Sequence, residues 1–160
     1  MSGTRFPALK YIYNQCVQTP QKFTVRAASW RDDIAPLQDL RRWVFIIEQQ
    51  VPEELEWDEA DPTSVHALAL DAEGCPIGTG RLLDDGHIGR IAVVREWRRR
   101  GVGSAILEWL IARAREQGSN SVRLHAQTHA LGFYARHGFI AHGETFTEAG
   151  ILHRAMSLSW

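Results

Sequence analysis

Little in this sequence suits a secreted or membrane-embedded protein. It has two cysteines, Cys16 and Cys75, too few for a disulfide framework and neither in a CxxC pair, so a reducing, cytoplasmic compartment is expected. No apolar run approaches the roughly 18 residues needed to span a bilayer, so no membrane partner is expected. Residues 1–31 hold five basic residues and no Asp or Glu, yet lack the Ser and Arg density of a transit peptide. Neither sign of charge is in excess. Eighteen Lys and Arg against nineteen Asp and Glu leave a formal charge of -1, which predicts no polyanionic or polycationic partner. The basic run at residues 95–100 sits in a chain of near-neutral total charge, so no nucleic-acid partner is expected. Also missing are GxxxxGKS/T and GxGxxG, which removes a P-loop and a dinucleotide fold. No Ser-His-Asp order stands out, and Cys75 has no basic neighbour or helix start to activate it. His125 and His129 are four apart across a strand-to-loop junction, not on a helix, and His66, His87, His137 and His142 are scattered. No metal is expected.

What remains is enough for one domain. At 160 residues, 44% hydrophobic and 23% charged, the chain can bury a core without staples. Residues 1–22 read as an N-terminal extension and 23–160 as a single domain. Alternation predicts strands at 23–29, 66–71, 77–83, 87–94 and 121–127, with turns at Glu73-Gly74 and Asp84-Asp85-Gly86. Asp32 or Asp33 is placed to cap a helix through Ile34, Leu37, Leu40, Val44 and Ile47. The acidic stretch 52–62 breaks it. Val102, Ala105, Ile106, Trp109 and Leu110 make one face of the clearest helix, which stops at Gly118. A short helix over 130–137 and a final hairpin around Glu148-Ala149-Gly150 complete a mixed sheet flanked by helices, an α/β (α+β) class.

The segment from Ile88 to Ser104 is the most informative. A strand runs through a basic, glycine-bearing turn straight into that strong helix. Such a junction presents unpaired backbone N–H groups at the positive end of a helix dipole. Gly101 and Gly103 admit a bulky anion close to the main chain, Arg98, Arg99 and Arg100 add counter-charge, and Ser104 offers a hydroxyl. A pyrophosphate suits the site. Glycines that serve only the turn, and a solvated arginine face, are the plain alternative.

Arg98-x-x-Gly101-x-Gly103 after a strand resembles the acetyl-CoA signature of the GCN5-related N-acetyltransferases (GNAT). Gly132-Phe133-Tyr134-Ala135-Arg136-His137-Gly138-Phe139 resembles the same family's FYxxxGF segment. Three further stretches, Arg42 to Pro52, His125 to Thr128 and Glu148 to His153, are similar to the small bacterial branch of ElaA and YjcF proteins, more distantly related to glyphosate N-acetyltransferase. The resemblance spans residues 23–158. It implies a mostly antiparallel sheet of six to seven strands with a central parallel pair splayed to hold coenzyme A.

The resemblance also implies roles. Acetyl-CoA is the cosubstrate, its pyrophosphate on the amides of Arg99, Arg100, Gly101, Val102, Gly103 and Ser104 beside Arg98. Backbone groups of Ile91, Ala92 and Val93 bond the pantetheine and polarise the thioester carbonyl. A neutral primary amine attacks directly, through a tetrahedral intermediate, and the thiolate leaves. Tyr134 matches the family's acid position; its phenol has a reference pKa near 10, above that of a thiol. The alternative is a tyrosine packed on the sheet with its hydroxyl tied down. His153 resembles the catalytic histidine of glyphosate N-acetyltransferase and is the first candidate for the base, with Glu48 and a water chain as rivals.

By the same alignment Arg42, Arg90 and Gln127 face the acceptor, beside Glu48 and His153. Two arginines there point to a small amine bearing a carboxylate or phosphonate. Gln127 stands where glyphosate N-acetyltransferase has a third arginine, so that substrate does not carry over. Arg42 or Arg90 could equally pair with the acidic loop. Two rival functions stay open, a non-catalytic acyl-CoA-binding module and acetylation of protein amines. So does a homodimer.

Overall fold

Alternating apolar and polar residues build the first sheet of the computed structural model, which describes residues 22–160. The expected N-terminal extension, Lys22 apart, lies outside the described residues. Strands β1 (Phe23–Ala28), β2 (Val65–Asp71), β3 (Pro76–Leu82) and β4 (Ile88–Val93) pair antiparallel in that order. A second antiparallel sheet has the order β5-β7-β6, from β5 (Ser121–Gln127), β6 (Ile140–Glu148) and β7 (Ile151–Ser159). The two sheets meet where β4 approaches β5 in parallel. A bridge joins His87 to Arg123 there, and the Arg123 N–H donates to the Gly86 carbonyl at 3.0 Å. Beyond that point β4 and β5 belong to separate sheets.

Helix α1 covers Ile34–Arg41, the single turn α2 covers Glu53–Glu56, α3 covers Val102–Glu116 and α4 covers Leu131–Arg136. Ile106, Leu107 and Leu110 of α3 are buried against the sheets in one core with Leu37, Leu68, Ile77, Ile88, Leu124 and Met156. A Cβ on Gly80 would stand 2.7 Å from Ile106 and 2.9 Å from Leu110, so only glycine lets α3 lie this close to β3. That close packing sets the start of α3 beside the end of β4. No helix among the described residues is long and apolar enough to cross a membrane.

Two details depart from the sequence reading. Asp33 stands at the start of α1 but caps none of its amides; its carboxylate instead accepts from the Ser29 N–H and pairs with Arg26. The expected helix through Ile47 is α-helical only to Arg41, and Arg42–Glu48 form a π-helix. Its wider turn rotates the apolar residues off the α-helical face. Val44 is still buried, whereas Ile47 is 41% exposed.

A buried charge network ties these helices to the sheet. Arg41 bonds Glu56 at 2.7 Å and Asp61 at 2.6 Å, and Arg81 reaches the same Asp61 at 2.8 Å and Asp58 at 2.7 Å. Burial works to raise Asp61, yet Arg41 and Arg81 hold it below the usual carboxylate range. Glu56, more strongly desolvated, is raised despite Arg90 and Arg41. Breaking such a network strands buried carboxylates, which costs about 3–5 kcal/mol. Arg41→Ala should therefore lower the denaturation midpoint sharply. An unchanged midpoint in urea would show that the network holds nothing together.

Candidate active site

Where the sheets part, a cleft of about 560 Å³ opens between β4 and β5. Arg90, Ile91, Ala92, Val93, Arg98, Gln127, Tyr134 and His153, all singled out from the sequence, line it. Among the described residues the β4 edge facing β5 has no ladder partner from Ile88 to Val93, so its backbone donors and acceptors are turned to the cleft. A bulge shapes this edge. Thr79 pairs with Ala92 and Arg81 with Gly89, so Arg90 and Ile91 together oppose Gly80, and Arg90 takes φ +52°. Bulges of this kind re-aim backbone groups beside functional sites.

At the open end of the cleft, β4 runs into the turn of residues 98–101. Gly101, at φ +85°, adopts the left-handed conformation that admits the chain into α3. The first intrahelical bond is Ala105 N–H to the Gly101 carbonyl, no side chain caps the helix, and its first turn contains no acid. The amides of Val102, Gly103 and Ser104 therefore point out of the helix at its positive end. Arg98, Arg99 and Arg100 are exposed around them. The Ser104 hydroxyl is engaged by His137 Nε2 at 2.9 Å. Trp97 is buried in the core, with the Arg100 guanidinium 5.4 Å above its ring.

Tyr134 projects from α4 against Phe133 and Phe139, with ring centroids 5.0 and 5.9 Å away. Burial pushes its phenol up to about 12, so the hydroxyl keeps its proton across the physiological range.

His153 is fixed by hairpin register. Ala149 and Gly150 both have positive φ (+52° and +76°), as a two-residue type I′ connection requires, and Glu148 pairs with Ile151. Two residues on, His153 faces Phe146 on one side and Gln127 on the other. Its Nδ1 lies 2.7 Å from the Ile151 carbonyl. A carbonyl only accepts, so the neutral ring carries its proton on Nδ1 and leaves the Nε2 lone pair free.

Other expected residues are placed differently. Arg42 is paired with Glu53 and stacked on Trp57 at 5.3 Å, and does not line the cleft. Arg90 does line it, but faces Glu56 at 3.4 Å and Asp58 at 3.5 Å and donates to the Leu55 and Glu56 carbonyls. Glu48 is outside the lining and bonds Arg98 at 2.7 Å, while Arg98 Nε donates to the Val93 carbonyl at 2.8 Å. Gln127 donates to Gln49 at 2.9 Å, a second tie across the cleft.

Among the wall residues that the sequence reading did not place in the site are His87, His125, His129 and Glu148. The His87 and His125 rings meet edge-on at 4.8 Å, and His125 Nδ1 is 3.3 Å from Glu148 Oε1. Burial and the neighbouring His125 hold His87 below its usual value. The hairpin turn was the available signal, since its register dictates which β6 residue stands beside His153. Among the described residues no cluster of His, Cys, Asp or Glu is arranged to hold a metal ion. Cys75, in the β2–β3 turn, is disulfide-bonded and outside the cleft, so it offers no thiolate.

Residues 31–160 match the family model of the acetyltransferase (GNAT) domain. The N-acetyltransferase YjcF of Bacillus subtilis is 39% identical over 121 residues, covering 73% of this chain and 86% of the relative. An acyl-CoA N-acyltransferase from Pseudomonas aeruginosa superposes with a TM-score of 0.72 at 30% identity, over 86% of this chain and 99% of that one. Escherichia coli ElaA gives a TM-score of 0.74 at 26% identity, over 85% and 99%.

Proposed function

The chain belongs to the GNAT acetyltransferase family, and from that premise we propose that it transfers the acetyl group of acetyl-CoA to a primary amine of a small molecule. The observation that carries this reading is the parted edge of β4, which leads directly to the uncapped start of α3. The amides of Val102, Gly103 and Ser104 suit a diphosphate, and the exposed arginines beside them supply counter-charge. A Cβ on Gly103 would meet Phe133 at 3.5 Å, an ordinary contact, so packing alone does not demand glycine there. Close approach of a ligand to the backbone gives a reason for it.

Bound acetyl-CoA would supply an activated acyl group. The chain's own residues do the rest. The β4 edge around Ile91 and Val93 holds the pantetheine arm and offers N–H donors to the developing oxyanion. Withdrawal of Arg98 Nε from the Val93 carbonyl frees an acceptor for that arm. His153 Nε2 takes the proton of the attacking ammonium, and Tyr134 gives its proton to the departing thiolate. Glu48 is the weaker candidate for the base, because Arg98 neutralises it outside the cleft wall.

The test is thiol release from acetyl-CoA across a panel of alkylamines, amino acids, aminosugars and peptide amines. Release that depends on a small amine is expected. Tight acetyl-CoA binding with no release for any amine would leave an acyl-CoA-binding module instead.

A further inference from the structure

Among the described residues, the charges on the cleft wall cancel in pairs with one exception. Arg90 faces Glu56 and Asp58, and Arg98 is paired with Glu48. Glu148 is the exception. Its side chain is 52% exposed on the wall, and its ionic contacts are with two histidines, His125 and His153. The two carboxylate oxygens are differently engaged. Oε1 is within hydrogen-bond distance of His125 Nδ1, at 3.3 Å. Oε2 stands 3.8 Å from His153 Nε2, too far for a hydrogen bond.

That 3.8 Å gap has a chemical meaning. With the proton of neutral His153 held on Nδ1 by the Ile151 carbonyl, Nε2 is an acceptor, and so is the carboxylate. Two acceptors face each other with no hydrogen between them. A nitrogen carrying at least two hydrogens, set about 2.9 Å from each, satisfies both at once. An alkylammonium is such a donor. A carboxylate or phosphonate is not, and beside Glu148 it would meet a like charge with no unpaired arginine among the described residues of the wall to offset it. Phe146, with ring centroids 4.9 Å from His125 and 6.0 Å from His153, packs against both rings and holds them beside Glu148.

We propose that the acceptor is a cationic alkylamine without an anionic group, and that Glu148 seats its ammonium beside His153. This reverses the anionic acceptor expected from Arg42 and Arg90, and rests on the acetyl-transfer reading only in taking the seated amine as the acceptor. Once seated, the ammonium passes one proton to His153 Nε2, and the freed lone pair attacks.

The probes are n-butylammonium and aminomethylphosphonate, each titrated into the protein while the imidazole NMR signals of His125 and His153 are followed. Butylammonium should shift both signals saturably and the phosphonate neither. Glu148→Gln should weaken butylammonium binding at least tenfold with an unchanged thermal midpoint. Wild-type amine affinity in Glu148→Gln, equal binding of the phosphonate, or no saturable shift with butylammonium would each overturn the proposal. Thiol release from acetyl-CoA with butylamine is read in parallel. A seated amine without release overturns acetyl transfer and leaves the seat standing. Release from Glu148→Gln at the wild-type KM overturns the seat and leaves transfer standing.

Discussion

Tyr134→Phe should cut turnover by roughly 10²–10⁴-fold, the usual contribution of a general acid, while acetyl-CoA affinity stays close to wild type. The change removes only the hydroxyl, and the ring keeps its contacts with Phe133 and Phe139. A phenol pushed up to about 12 stays protonated at every working pH, yet remains a far stronger acid than water for a nascent thiolate. The same shift fixes a control. Because the folded phenol titrates above its ordinary value near 10, its favourable share of stability is present below that pH and lost as pH climbs toward 12. Absorbance titration should find a late-ionising tyrosine in the wild type that is lost in the variant. A wild-type rate for Tyr134→Phe would reduce this residue to a packing role.

His153→Ala should lower turnover by a comparable factor, roughly 10²–10⁴, while acetyl-CoA affinity stays close to wild type. The hairpin places the ring, and the Ile151 carbonyl selects its tautomer, so the free nitrogen in the cleft is Nε2. Once the ring is gone, only solvent water is left to take the proton of the ammonium, and slowly. A wild-type rate in His153→Ala would transfer the base role to Glu48 or to a chain of waters.

Much of the fold was legible because its signals are local. Alternation at Phe23, Val25 and Ala27, and again at Val122, Leu124 and Ala126, gave β1 and β5; the threefold and fourfold spacing from Val102 to Leu110 gave α3. The glycine-bearing turn before α3 was legible for the same reason. The π-helix was not, since Val44 and Ile47 suit an α-helical spacing equally well and only tertiary packing chooses between them. Ion pairing was legible in part. Pairing of Arg42 and Arg90 with the acidic loop stood as an alternative and is what the structure has, whereas Arg98 meets Glu48 fifty residues away through a contact that no local pattern encodes. Taking Arg42 and Arg90 as free cations points to an anionic acceptor; with both arginines paired, that ground is gone. His87, His125 and Glu148 come together only when β4, β5 and the β6–β7 hairpin are assembled.

The most direct test follows the backbone amides of Val102, Gly103 and Ser104 by ¹⁵N–¹H NMR as coenzyme A is added. If these groups donate to its diphosphate, their resonances should move downfield together and saturate with the same affinity as calorimetry reports. Saturated binding that left all three unmoved would place the nucleotide elsewhere and contradict the account at its root.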